Sequence, residues 1–196
     1  MSARVDLLIT GFGPFPGIPV NPSATLARQI ANDPRLKRAG LAVACRLIPT
    51  EYAVAERLIP ELVADLRPRA VLMLGVASKR KGLSVECFAR NRRSILHPDA
   101  AGRRPTSLAI APGAAARIRG RAPMVPCVVA AGRAGQRTRL SQSAGTYLCN
   151  DGYWRMLAAT AGPCLFLHIP KLKGRAMTRC LTNAGVAVAR LMLRGK

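Results

Sequence analysis

Short apolar runs alternate along this chain with stretches of helical periodicity, and that alternation leaves few architectures open. Ala70 to Leu74 is continuously apolar, as a strand buried on both faces must be. Residues 5–10 end at Gly11 and Gly13 and read as a second buried strand. Residues 41–48, Leu83 to Ala89, residues 137–141, and Cys164 to His168 before Pro170 complete the set. Between them, Asn21 caps a helix that opens on Pro22 and runs to about Asp33. Thr50 is placed to cap a helix over 51–66, where Val54, Leu58 and Leu62 recur at helical spacing and Glu51 suits the first turn. Residues 149–159 and 178–193 are helical, the latter carrying Leu181, Val188 and Leu191 on one face. Pro123 to Ala134 reads as a helix started by prolines, although Val125 to Val129 alone fits a strand equally well. From Arg92 to about Gly120, Pro98, Pro105 and Pro112 mark an irregular excursion. The fold class that follows is α/β: three layers, α/β/α, around a mainly parallel, mixed sheet, in a single domain over residues 1–196.

Charge and cysteine usage narrow the function. Lys and Arg number 31 against 9 Asp and Glu, a net charge of +22. Such a field attracts polyanions. However, aromatic residues are only 4% of the chain and no long basic tract interleaves with them. The short clusters Lys79-Arg80-Lys81, Arg90 to Arg93 and Arg117 to Arg121 therefore read as solvated surface. Incidental nucleic-acid binding at low salt is expected, and it would not establish a function. No apolar run approaches the ~18 residues of a membrane span. Residues 1–6 lead into an apolar stretch too short for a secretory signal, so a cytoplasmic, membrane-free protein is expected. Six cysteines, at 45, 87, 127, 149, 164 and 180, are too widely spaced for a zinc site, and only His97 and His168 could assist. Neither a metal nor a cofactor is expected. The thiols should be reduced, and five of them should be small buried hydrophobes.

Cys149 is the exception. The small-residue turn Ala144-Gly145-Thr146 runs into a helix at this cysteine. Backbone N–H groups and the helix dipole at that position favour a thiolate and can stabilise an oxyanion. His168 ends a buried strand, which makes it a better base than His97. Glu86 is the sole acid between Asp65 and Asp99. Nucleophile, base and orienting carboxylate are the parts of a thiol hydrolase. In open α/β sheets such groups collect beyond the carboxyl ends of strands, where Gly11 to Phe15, Ser143 to Cys149 and His168 fall on this reading. Each residue also has an ordinary explanation. Cys149 reads equally as buried filler, His168 as a satisfied strand-end histidine, Glu86 as an exposed acid, and Phe12 and Phe15 as core aromatics.

The motifs carry a resemblance. Thr10-Gly11-Phe12-Gly13-Pro14-Phe15 with Val20-Asn21-Pro22-Ser23, the segment Ser143 to Asn150, and His168-Ile169-Pro170 resemble the signatures of the pyroglutamyl-peptidase I family of cysteine peptidases. Glu86, with Ala89 and Asn91 in register behind it, is similar to that family's glutamate segment. The resemblance spans nearly the whole chain and implies release of an N-terminal pyroglutamyl residue from peptides. It makes Cys149 the nucleophile, His168 the acid and base, and Glu86 the orienter of the imidazole. It also implies that Phe12 and Phe15 flank the lactam ring, that Asn21 contacts it, and that Val76 offers a backbone carbonyl. Thr50 and Tyr147 match further pocket positions, and homotetrameric assembly is implied.

The chain departs from the family pattern in places. Val76 stands where Gln is usual, Cys87 follows the glutamate in place of Arg, and Ser94-Ile95-Leu96 replaces Asp-Ala-Arg. Lys171 replaces a common aromatic, and Gly174-Arg175 stands for Glu-Gln. Two other readings therefore stand beside a pyroglutamyl peptidase: a thiol hydrolase of altered acyl specificity, and an inactive basic binding protein on the same fold.

Overall fold

Three of the apolar runs form the middle of one sheet, as their two-sided burial requires. The structure, a computed structural model, describes residues 4–15 and 17–193. The reading of the first residues as no signal depends partly on residues 1–3, which lie outside that range. Strands β1 (Leu7–Phe12), β2 (Val43–Ile48), β3 (Ala70–Val76), β4 (Leu83–Glu86), β7 (Thr138–Ser141) and β8 (Cys164–Ile169) order as β2-β1-β3-β8-β4-β7. Strands β2, β1, β3 and β8 are mutually parallel; β4 pairs antiparallel with β8, and β7 parallel with β4. The sheet is thus mainly parallel with two reversed strands at one side. The short strands β5 (Phe88–Arg90) and β6 (Arg117–Arg119) pair separately.

Strand alternation divides the side chains into two cores. Leu7, Ile9, Leu72, Leu74, Leu165 and Leu167 face helices α1 (Pro22–Ala31), α4 (Met124–Arg133) and α6 (Gly174–Leu193). Leu8, Phe12, Val71, Met73 and Phe166 face α3 (Tyr52–Leu66) and α5 (Leu148–Ala159). Among the described residues no helix is long and apolar enough to cross a membrane.

Several local expectations are corrected. The first helix stops at Ala31, and Asp33 caps a further short helix, α2 (Pro34–Arg38). Thr50 does not cap α3. Glu51 occupies that position without a side-chain bond, and Asp99 reaches from the excursion to accept the Tyr52 N–H at 3.1 Å. The expected strand at 83–89 breaks at Cys87 into β4 and β5, and α6 starts four residues before the expected 178. Residues 124–133 are a helix, which resolves the ambiguity at Val125 to Val129. All six cysteines are unpaired, but Cys45 and Cys180 are only partly buried, so fewer are core filler than expected. Each basic cluster also sends one arginine inward. Arg80 meets Glu86, Arg93 meets Asp151, and Arg121 donates to the Leu157, Thr160 and Gly162 carbonyls at the end of α5.

Candidate active site

Sheet register brings the candidate groups to one face. Gly75 near the end of β3 pairs with His168 near the end of β8, and Ser84 of β4 pairs with His168 from the other side. Register partners project to the same face, so Gly75, His168, Phe166 and Glu86 all address the α3/α5 side. His168 Nδ1 lies 2.8 Å from Glu86 Oε1. With the Nδ1 proton donated to the carboxylate, Nε2 is left as the acceptor. The imidazole stacks at 4.8 Å, tilted, on the Phe166 ring.

Cys149 is the second residue of α5, where Tyr147 is the N-cap and no side chain caps the helix. Its sulfur lies over Gly75: a Cβ added there would fall 2.9 Å from Cys149 Sγ and 2.6 Å from Phe166 Cζ. Only glycine leaves that space, one strand away from His168. Strands β4 and β7 run opposite to the others, however, so the segment after β7 does not leave the sheet at the edge where β1 and β8 end, as the sequence reading had it, and neither does Glu86, which that reading left unplaced. The site is assembled across the sheet face instead, with Glu86 reaching diagonally to His168.

The electrostatics also differ from expectation. Burial, and next the nearby Glu86 carboxylate, push the Cys149 thiol up to about 12, against a smaller pull from Arg80. Burial and the Glu86 field thus favour the thiol and oppose the thiolate expected from the helix N-terminus. Burial alone would raise Glu86 too, yet it is held below the usual carboxylate range by the His168 hydrogen bond and charge, with Ser141 and Arg80 adding to this. A thiol over Gly75, the register partner of a histidine whose Nδ1 meets a carboxylate, supplies the parts that base-assisted attack requires.

The other expected residues surround this group to different degrees. Phe12 is 2% exposed and belongs to the core, its ring 6.2 Å from that of Phe166, whereas Phe15 is partly exposed in a tight turn with Ile18. Asn21 is the α1 cap: its Oδ1 accepts from Ser23 N and Oγ, and its Nδ2 donates to the Gly13 carbonyl at 2.9 Å. Thr50 Oγ1 donates to the Pro14 carbonyl, clamping the same loop. The Val76 side chain packs in the opposite core, with α1, α4 and α6. Tyr147 donates to the Pro98 carbonyl at 2.7 Å, its ring edge-on to Tyr52 and His97.

Two further groups went unread in the sequence. After Cys149 come buried Asn150, which bonds the backbone of Arg90 and Arg92, and buried Asp151, which takes Arg93 Nε at 2.7 Å and Arg155 Nε at 2.8 Å. They bind the irregular excursion to the helix that carries the cysteine. Arg80 ties Glu86 to the Ser143 carbonyl. Asp151, an acid in the first turn of a helix, was a signal available in the sequence; Arg80, inside a basic triplet, offered none. Among the described residues no group of three His, Cys, Asp or Glu side chains is placed to hold a metal ion.

A cysteine at a helix start, over the register partner of a glutamate-bound histidine, on a mainly parallel sheet covered on both faces, fits the class of thiol hydrolases. The family model for pyroglutamyl peptidase matches residues 5–189. Pyrrolidone-carboxylate peptidases from Pseudomonas fluorescens and Chromobacterium violaceum are 33% and 32% identical to the chain, covering 85% and 97% of it and 78% and 94% of their own lengths. The crystal structure of pyrrolidone carboxyl peptidase from Thermus thermophilus superposes with a TM-score of 0.85 at 28% identity, over 94% of this chain and 99% of that one. The chain belongs to the pyroglutamyl peptidase family of cysteine peptidases.

Proposed function

We propose that this chain, as one peptidase domain over residues 1–196, releases N-terminal pyroglutamyl residues from peptides, with Cys149, His168 and Glu86 as its catalytic residues. The carrying observation is the 2.8 Å His168–Glu86 bond with Cys149 Sγ lodged over Gly75, the register partner of His168. His168 Nε2 takes the thiol proton as sulfur attacks the pyroglutamyl carbonyl carbon. The oxyanion is held by N–H groups at the uncapped start of α5. The C–N bond breaks as the imidazolium returns its proton to the leaving amine. His168 then draws a proton from water, which attacks the thioester and frees pyroglutamate and the thiol. Glu86 keeps the imidazole in the tautomer that each step needs.

Phe15, with Phe12 behind it, flanks the lactam. Asn21, Thr50 and Tyr147 shape the surrounding loops, and Val76 contributes its backbone carbonyl, so the residue type there leaves the pocket unchanged. A homotetramer and a cytoplasmic setting belong to the same proposal. The test is a fluorogenic pyroglutamyl substrate with wild type beside Cys149→Ala. Wild type turns it over and the variant does not; turnover by the variant overturns the assignment. Preference for prolyl or free-amino substrates would replace this reading by a hydrolase of altered acyl specificity.

A further inference from the structure

Arg80 occupies an unusual position for a member of a basic triplet. Its neighbours Lys79 and Lys81 are exposed, whereas the Arg80 side chain is only 22% exposed and turns inward. One terminal nitrogen, Nη1, donates to Glu86 Oε1, the same oxygen that meets His168 Nδ1. The other, Nη2, donates to the Ser143 carbonyl at 3.2 Å, in the loop that leads to Cys149. A groove of about 590 Å³ opens beside it, lined by Lys79, Lys81, Arg137 and Arg139 and by no acid. The groove thus supplies cations that repel Arg80 and no carboxylate that competes with Glu86 for it.

We infer that Arg80 is a positioning residue of the reaction, clamping the Glu86 carboxylate and the nucleophile loop in one fixed relation. The inference rests on the functional reading above. Glu86 Oε1 lies between two donors, Arg80 and His168. Rotation of the carboxylate would therefore cost both bonds to Oε1. The guanidinium's fork makes this possible, because two nitrogens in one plane can serve two acceptors at a fixed separation, which an ammonium cannot do. The Ser143 carbonyl also accepts from Ser141 Oγ at 3.3 Å, but the Arg80 bond joins it to Glu86, and so links the approach of Cys149 to the orientation of the imidazole.

The test uses Arg80→Gln and Arg80→Lys in the full chain. Arg80→Gln is expected to lower kcat about tenfold, the loss of one charge-assisted hydrogen bond, with KM little changed. Removing a cation beside the pair favours its protonated form, so the acid limb of kcat/KM moves to higher pH. Arg80→Lys restores the charge but not the fork, and is expected to recover the limb while leaving kcat low. The His168 Nδ1 proton resonance reads the pair without substrate, and it should shift in Arg80→Gln. An unmoved resonance with wild-type kcat overturns the inference, as does a rise in KM alone. If wild type itself does not release pyroglutamate, the functional reading fails, while the resonance still decides whether Arg80 sets the pair.

Discussion

At the scale of single residues, the unexpected feature is that the surroundings of the proposed nucleophile, Cys149, favour the thiol over the thiolate. With the Cys149 thiol pushed up to about 12 by burial and the Glu86 carboxylate, the free thiolate is the minor form at neutral pH. On the proposed mechanism, reactivity comes from His168 taking the proton during attack. In His168→Ala, alkylation of Cys149 by iodoacetamide is expected to be at least about 100-fold slower than in wild type at pH 7, since imidazole assistance is lost. Because the thiol titrates high, the variant's rate should climb about tenfold per pH unit through pH 10. Equal rates in the two proteins at pH 7 would show that the imidazole plays no part in activating the sulfur. The three catalytic candidates were singled out in the sequence by scarcity, as one cysteine at a helix start, two histidines and nine acids, but ordinary explanations stayed open for each until the family resemblance assigned them roles. The state of the sulfur was not legible, because burial and the Glu86 field are set by strands distant in sequence. Arg80 was hidden for the same reason, since nothing in Lys79-Arg80-Lys81 says which cation turns inward.

At the scale of elements, the site depends on α5 being fixed relative to both the sheet and the excursion. Asp151 is fully buried between Arg93 and Arg155, and Glu56 of α3 approaches Arg155 at 3.2 Å. A carboxylate so placed stabilises mainly by not leaving two guanidinium groups uncompensated. Asp151→Asn keeps the shape and removes the charge, and is expected to cost about 3 kcal/mol, read from chemical denaturation. Amide exchange should rise in residues 92–116 more than in β3 or β8, because those strands are held by the sheet. A loss below about 0.5 kcal/mol would mean the network is solvated. The same contrast explains which elements could be read in advance. Strands β3 and β8 declare themselves by unbroken apolar runs, and α1 by Asn21-Pro22. The α3 cap did not, because its partner, Asp99, lies 47 positions further along the chain. The reversal of β4 and β7 was equally invisible, since a hydrogen-bonded ladder leaves no mark of direction in so short a strand.

At the scale of the whole molecule, a charge of +22 has two consequences with opposite dependence on salt. Attraction to nucleic acid is driven by release of counterions, so it weakens as salt rises, with a slope set by the number of phosphates neutralised. Self-association brings like charges together, so it strengthens as salt screens them. The Debye length shrinks from about 30 Å at 0.01 M to about 10 Å at 0.1 M. Inward-turned Arg80, Arg93 and Arg121 are neutralised or bonded locally, so the field arises from the remaining surface cations. The catalytic face is governed by short-range contacts within the fold and should respond to neither effect. Sedimentation of the protein with and without a short DNA duplex, in 20 mM and 500 mM salt, separates these terms. DNA binding is expected at the lower concentration and lost at the higher, while the oligomer, if it is the tetramer proposed, grows more stable across the same interval. Pyroglutamyl hydrolysis per protomer should stay level where the oligomeric state does not change. Tight DNA binding that persists at 500 mM salt, in protein that turns over no pyroglutamyl substrate, would move the function from the sulfur at 149 to the basic surface.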